Sequence, residues 1–277
     1  MSRFPGDFMS MRKSIFITGA ASGIGLATAK LFAKKGWFVG LADINAAGLK
    51  AALDAIGREN GATYLLDVRD RAAWDDALSV FTTAARGKLD VLLNNAGVVA
   101  GGYFDELSEA DIDRQLDINL KGVINGARAG VRHLKQNAGS QLVNVASCAA
   151  LFGAAGSSIY SATKFAVRGL SQSLQAEFAR FGVGVKCIMP WFIDTPILAI
   201  NTPGTNEKLT DTLRASGIKI YPVEDCAEVI WNAVHSSALE HIVGGRGKQL
   251  AWLIRLMPGL IRRQSTAWSI AGRAPGS

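Results

Sequence analysis

The sequence predicts an α/β fold, a doubly wound parallel sheet in one domain with helices on both faces. Three observations carry that prediction. Short β-branched and aromatic runs alternate with segments of helical period along most of the 277 residues. The middle runs, Val91-Leu92-Leu93 and Leu142-Val143-Asn144-Val145, are too apolar to have a wet face, as strands buried on both sides should be. A glycine-rich turn separates the first run from the first helical pattern. Right-handed crossovers then place the ends of all strands on one edge.

Taken in order, the first strand is Ser14–Thr18, and Leu26, Ala29, Leu31 and Phe32 give helical spacing over 24–35. A strand follows over 37–42, a helix over 46–57, a strand over 62–66 and a helix over 71–85. The fourth strand is Val91–Asn94, followed by a long helical pair over 108–135 and a strand over 141–146. A helix over 157–181, a strand over 183–188, a helix over 225–236 and a short strand Glu240–Val243 complete the pattern.

Chemistry concentrates at the ends of these strands. After the first comes Thr18-Gly19-Ala20-Ala21-Ser22-Gly23-Ile24-Gly25. Glycines admit a pyrophosphate to the backbone, and a helix N-terminus offers donors and a positive dipole end. The spacing, T-G-x-x-x-G-x-G, has one residue more than the general Rossmann fingerprint. The second strand ends at Asp43, placed where a ribose 2′-hydroxyl would be gripped. No G-K-[ST] follows the turn, which argues against a triphosphate-binding P-loop. Farther on, Tyr160 and Lys164 stand four apart in a helical segment and share a face. A phenol with a pKa of roughly 10 is ionised about one part in a thousand at neutral pH. A neighbouring cation and a helix opening are expected to lower that pKa and allow proton exchange with an alcohol or ketone. Taken alone, that spacing also suits a solvated pair.

The ordered set resembles the short-chain dehydrogenase/reductase family, in its single-domain NAD-dependent branch. It comprises Thr18, Gly19, Gly23 and Gly25; Asp67-Val68; Asn94-Asn95-Ala96-Gly97; Asn119; Ser147; Tyr160 and Lys164; Pro190 and Thr195. The resemblance spans about residues 12 to 245. It implies hydride transfer between NAD(H) and the CH–OH or C=O carbon of an apolar alcohol or ketone, with Asn119, Ser147, Tyr160 and Lys164 as the catalytic set. Tyr160 would move the proton, Lys164 would lower its pKa and hold the nicotinamide ribose, Ser147 would hold the substrate oxygen, and Asn119 would hold a water. Cofactor contacts would come from Gly19, Ser22, Gly23, Ile24, Gly25 and Asp43, from Asp67 and Val68 at the adenine, and from Asn95, Ala96 and Gly97. Pro190, Ile193 and Thr195 would lie at the nicotinamide, with Tyr160 and Lys164. Substrate would meet Ser147, Tyr160 and Trp191; where the family has Gly after Pro190, this chain has Trp191 and Phe192. NAD is expected over NADP, since a 2′-phosphate at Asp43 meets like charge and Ser22 and Ile44 are neutral. The alternatives are a 3-oxoacyl-thioester reductase and an NAD-binding sensor without turnover. The family also implies a homodimer or homotetramer.

Composition narrows the classes. With 49% hydrophobic residues the chain can bury a large core and has no disordered signature. Cys148, Cys187 and Cys226 lie far apart without metal-ligand spacing and read as reduced packing residues of a cytoplasmic protein. His133, His235 and His241 fall in separate segments, so no metal is expected. A net charge of +7 could suggest nucleic acid, but the basic residues are scattered along the chain, with Arg255, Arg262 and Arg263 the one local concentration, and nucleic acid is not expected. No stretch offers the ~20 apolar residues of a spanning helix.

Residues 1–11 read as a mobile lead-in without a signal-peptide core, 12–247 as the catalytic domain with a substrate segment at 191–222, and 248–277 as an apolar, basic tail. The tail has helical period up to Pro258, with Leu250, Leu253, Ile254 and Met257 on one stripe and Lys248, Arg255, Arg262 and Arg263 as its charge. It suits a lid over an apolar pocket, a subunit contact, or peripheral attachment to an anionic membrane. The expectation is that it docks beside 191–222.

Overall fold

A computed structural model describes residues 12–203, 205–257 and 259. The expected lead-in at 1–11 and the tail at 258 and from 260 onward lie outside the described residues. Seven parallel strands form one sheet: β1 Ser14–Thr18, β2 Phe38–Asp43, β3 Gly61–Leu65, β4 Val91–Asn94, β5 Gln141–Val145, β6 Gly184–Pro190 and β7 Glu240–Val243. Their order is β3-β2-β1-β4-β5-β6-β7.

Side-chain alternation divides the middle strands between two cores. Ile15, Ile17, Val39, Leu41, Val91, Leu93, Val143 and Val145 belong to one. Phe16, Leu92 and Leu142 belong to the other. The first core is roofed by α1 Gly23–Lys34, α2 Ala46–Ile56 and α8 Val223–Val234, with Phe32, Trp37 and Trp231 packed edge to face. The second is closed by α3 Arg71–Ala84, α5 Gly122–Leu134 and α6 Ser158–Phe178, where Trp74 and Phe81 pack on Phe16. Burial on both faces explains why no strand in the middle of the sheet alternates with polar residues.

Several elements differ from expectation. The 108–135 helix is three pieces: α4 Glu109–Leu116, a π-turn Asp117–Lys121, and α5. β6 runs on to Pro190 because it pairs with β7 through Pro190 and Val243. Segment 191–222 contains a short helix, α7 Leu209–Ala215, and is tied back by a bridge between Ile193 and Tyr221. Among the described residues, α9 Gly245–Leu256 follows β7 directly. No helix among the described residues is long and apolar enough to cross a membrane.

Candidate active site

The switch point of the sheet lies between β1 and β4, whose ends are laced together. The Thr18 hydroxyl accepts from Asn95 N–H (3.0 Å) and Ala96 N–H (3.1 Å), and Asn95 Nδ2 donates to Thr18 O (2.9 Å). The glycine turn passes over this lacing. Gly19 and Gly23 have φ of +66° and +53°, and a Cβ on Gly25 would strike the Gly19 carbonyl and stand 2.8 Å from Asn95 Nδ2. These glycines are therefore required by the backbone, and they leave the first turn of α1 open to an approaching anion. The Thr195 methyl would lie 3.2 Å from a Cβ on Gly23 and Pro196 Cδ 3.8 Å from it, so the glycine turn faces the chain at Thr195 and Pro196.

Asp43 at the end of β2 accepts from Ala21 N–H (3.1 Å) and Asn45 N–H (3.0 Å), one on each carboxylate oxygen. This fixes a negative charge beside the glycine turn. Asp67 is gripped by Arg69, with Nη2 at 2.6 Å and Nε at 3.0 Å. The Arg69 guanidinium holds that carboxyl below its ordinary range. Val68 is buried, and its carbonyl accepts from Trp74 Nε1 (3.0 Å) and Asn125 Nδ2 (3.1 Å). Arg69 was not legible as a partner of Asp67, since spacing of two carries no pairing rule off a helix.

Ser147 follows β5, and its Oγ accepts from Ala149 N–H (3.1 Å). Tyr160 and Lys164 lie on the first turns of α6, with the Lys164 Nζ 5.5 Å from the Tyr160 ring centre. Lys164 is buried and donates to Val145 O (3.0 Å). Gly97 leaves room here: its Cβ would be 3.6 Å from Lys164 Nζ and 3.3 Å from Asn119 Oδ1. The structure thus gathers Gly97, Asn119, Ser147, Tyr160 and Lys164 from four separate segments.

One expectation changes. Burial pushes the Tyr160 phenol up, not down, and the Ser147 hydroxyl pulls only part of the way back. Desolvation is the largest influence on the phenol, and the Lys164 Nζ beside its ring donates its hydrogen bond to the Val145 carbonyl. Lys164 is itself pushed down to about 8 by burial. Asn119 sits in the π-turn, where its amide accepts from Val98 N–H (2.8 Å) and donates to Val98 O (2.8 Å). Its side chain is committed to the loop after β4, and π-turns of this kind concentrate at functional sites.

Trp191 stands edge-on to Phe192 at 5.2 Å and packs against the cluster of Cys148, Ala150 and Met189. Its Nε1–H is buried without a partner. Cys148 donates to Met189 O (3.4 Å) and its thiol is pushed up to about 12, so it is a packing residue and not a nucleophile. Beside Thr195, a cleft of about 480 Å³ is lined by Asp194, Arg214, Lys219, Tyr221 and Pro222. Among the described residues no group of His, Cys, Asp and Glu is placed to hold a metal ion.

The family model for the short chain dehydrogenase matches residues 13–205, and the chain belongs to that family. It is 34% identical over 259 residues to the probable oxidoreductase EphD of Mycobacterium tuberculosis, covering 90% of this chain and 44% of that one. The chain thus spans less than half the length of that curated relative. Among solved structures, it resembles a short chain dehydrogenase/reductase from Burkholderia phymatum in complex with NAD. The TM-score is 0.78 and the identity 26%, over 96% of this chain and 97% of that one. A 3-ketoacyl-(acyl-carrier-protein) reductase from Brucella melitensis complexed with NADH is similar at a TM-score of 0.74 and 29% identity. That match covers 86% of this chain and 100% of that one. Its glycine turn, with two positive-φ glycines and an open helix start, fits a nicotinamide dinucleotide.

Proposed function

We propose that this chain moves a hydride between NAD(H) and the carbinol or carbonyl carbon of an apolar alcohol or ketone. The observation that carries the reading is the convergence of Ser147, Tyr160 and Lys164 beside the glycine turn at the carboxyl edge of the sheet. The nicotinamide, when bound, supplies or takes the hydride. The protein's own groups manage oxygen and proton. Ser147 Oγ donates to the substrate oxygen and orients it. Tyr160, kept protonated by burial, gives its proton to a carbonyl oxygen during reduction and recovers it in the reverse direction. Lys164, with its pKa near 8, is still mostly an ammonium at neutral pH and favours the phenolate that forms.

Asp43 favours NAD over NADP, because its fixed carboxylate accepts from a 2′-hydroxyl and repels a 2′-phosphate. Trp191 and Phe192 make the substrate side apolar. The three buried, unpaired thiols suit the cytoplasm. The likeness to the Brucella reductase favours one second reading, reduction of a 3-oxoacyl thioester.

The test is absorbance of NADH with a panel of ketones, and of NAD with secondary alcohols. Tyr160→Phe should lower kcat on the order of 10² to 10⁴ and leave NAD affinity nearly unchanged. Near-normal kcat in that variant would overturn the assignment.

A further inference from the structure

Upstream of His241 cations and acids nearly cancel. Downstream of Glu240 come Arg246, Lys248, Arg255, Arg262, Arg263 and Arg273 with no Asp or Glu, so all but one unit of the net charge of +7 lies in the last 37 residues. The described part of this segment, α9, has two different sides. Gly247 is buried, and Leu250, Ala251 and Ile254 are half-buried against the body. Trp252 and Leu256, four apart on the outward side, are 67% and 71% exposed, and Leu253 and Met257 beside them are exposed too. The expected stripe is split: Leu250 and Ile254 face inward, whereas Leu253 and Met257 join Trp252 and Leu256 outside. Lys248 and Arg255, seven apart, flank this outward strip on one side and Arg246 on the other.

The root of the helix adjoins the site. A Cβ on Gly247 would lie 2.9 Å from Cys148 Sγ and 3.7 Å from Trp191 Cε3, and one on Gly244 would lie 3.3 Å from Trp191 Cβ. Cys148 immediately follows Ser147.

We propose that the outward face of α9 docks on an anionic phospholipid surface, and so sets the Ser147–Trp191 end of the site at the lipid boundary. A strip of Trp and Leu bordered by cations is what such a surface takes up. A second copy of the chain fits less well, because a two-fold contact would press Arg246, Lys248 and Arg255 against their own kind with no acid in α9 to offset them. The docking rests on α9 alone. Its consequence, a substrate drawn from the membrane, rests on the function proposed above.

Sedimentation of the whole chain with vesicles tests the docking. The chain should pellet with phosphatidylcholine vesicles containing phosphatidylglycerol, stay in solution with phosphatidylcholine alone, and be released by salt. A Lys248→Gln, Arg255→Gln pair should weaken partition roughly 25-fold, about five-fold per cation. Trp252→Ala with Leu256→Ala should weaken it as well, while both pairs keep turnover of a water-soluble alcohol. No pelleting with anionic vesicles would overturn the docking, as would equal pelleting with neutral ones. So would a Trp252→Ala, Leu256→Ala chain of reduced solution mass and unchanged pelleting. For the consequence, anionic vesicles should raise the rate on a bilayer-dissolved long-chain ketone. Pelleting without that rise, in a chain that turns over soluble alcohols, overturns the delivery alone; pelleting without turnover of any alcohol or ketone overturns the functional reading instead.

Discussion

Lys164→Met isolates the electrostatic cost of the site. Lys164 is buried at 4% exposure, and burial pushes its pKa from 10.5 down to about 8. The unfolded chain therefore holds a proton on this amine that the folded chain releases between pH 8 and 10.5. Stability rises with pH wherever the unfolded state binds more protons. The lysine thus contributes a penalty that is fully present below pH 8 and fades as pH rises toward 10.5. Between pH 7 and pH 10 the relief is about 2.5 kcal/mol for a shift of that size. The variant lacks the titration, and all other groups cancel in the comparison. At neutral pH the variant also leaves the Val145 carbonyl unpaired, at about 1–3 kcal/mol, so the absolute difference there is small. Urea unfolding of both cofactor-free proteins at pH 7 and pH 10 gives the double difference. A wild-type gain of about 2.5 kcal/mol over the variant is expected. A flat difference would show that Lys164 is solvated in the folded chain, and the account of its burial would fail.

Further outcomes follow from the same geometry. Asp43→Ala combined with Ile44→Arg should move the ratio of kcat/KM toward NADP, since Ile44 is exposed beside the carboxylate and a guanidinium there meets a 2′-phosphate; an unchanged ratio refutes the role of Asp43. Gly25→Ala forces a methyl onto the Gly19 carbonyl and Asn95, and should destabilise the chain by about 1–3 kcal/mol and weaken NAD binding. Thermal melts with and without NAD check this, and an unaltered Tm in both refutes the close approach.

Much of the architecture was legible in the sequence because it depends on local rules. Apolar runs such as Val91-Leu92-Leu93 need burial on both sides, and helical periods between them force crossovers, so the doubly wound sheet follows. The glycine turn is equally local: Gly19 and Gly23 take positive φ, which other residues adopt at a cost. The spacing of Tyr160 and Lys164 places them on one face of a helix wherever that helix lies. Which solvent, carbonyl or neighbour those groups meet was decided by tertiary structure alone. Lys164 reaches Val145 O, nineteen residues away, and the enclosure that follows raises the Tyr160 pKa where spacing predicted a fall. Asn119 bonds Val98 across twenty-one residues and sits in a π-turn that helical period does not mark. Trp191 turns toward Cys148 and Gly247, and α9 buries Leu250 and Ile254 while exposing Trp252 and Leu256. Periodicity names the faces of an element; which face meets water is settled only when distant segments compete to cover it, and desolvation then sets the charges of the site.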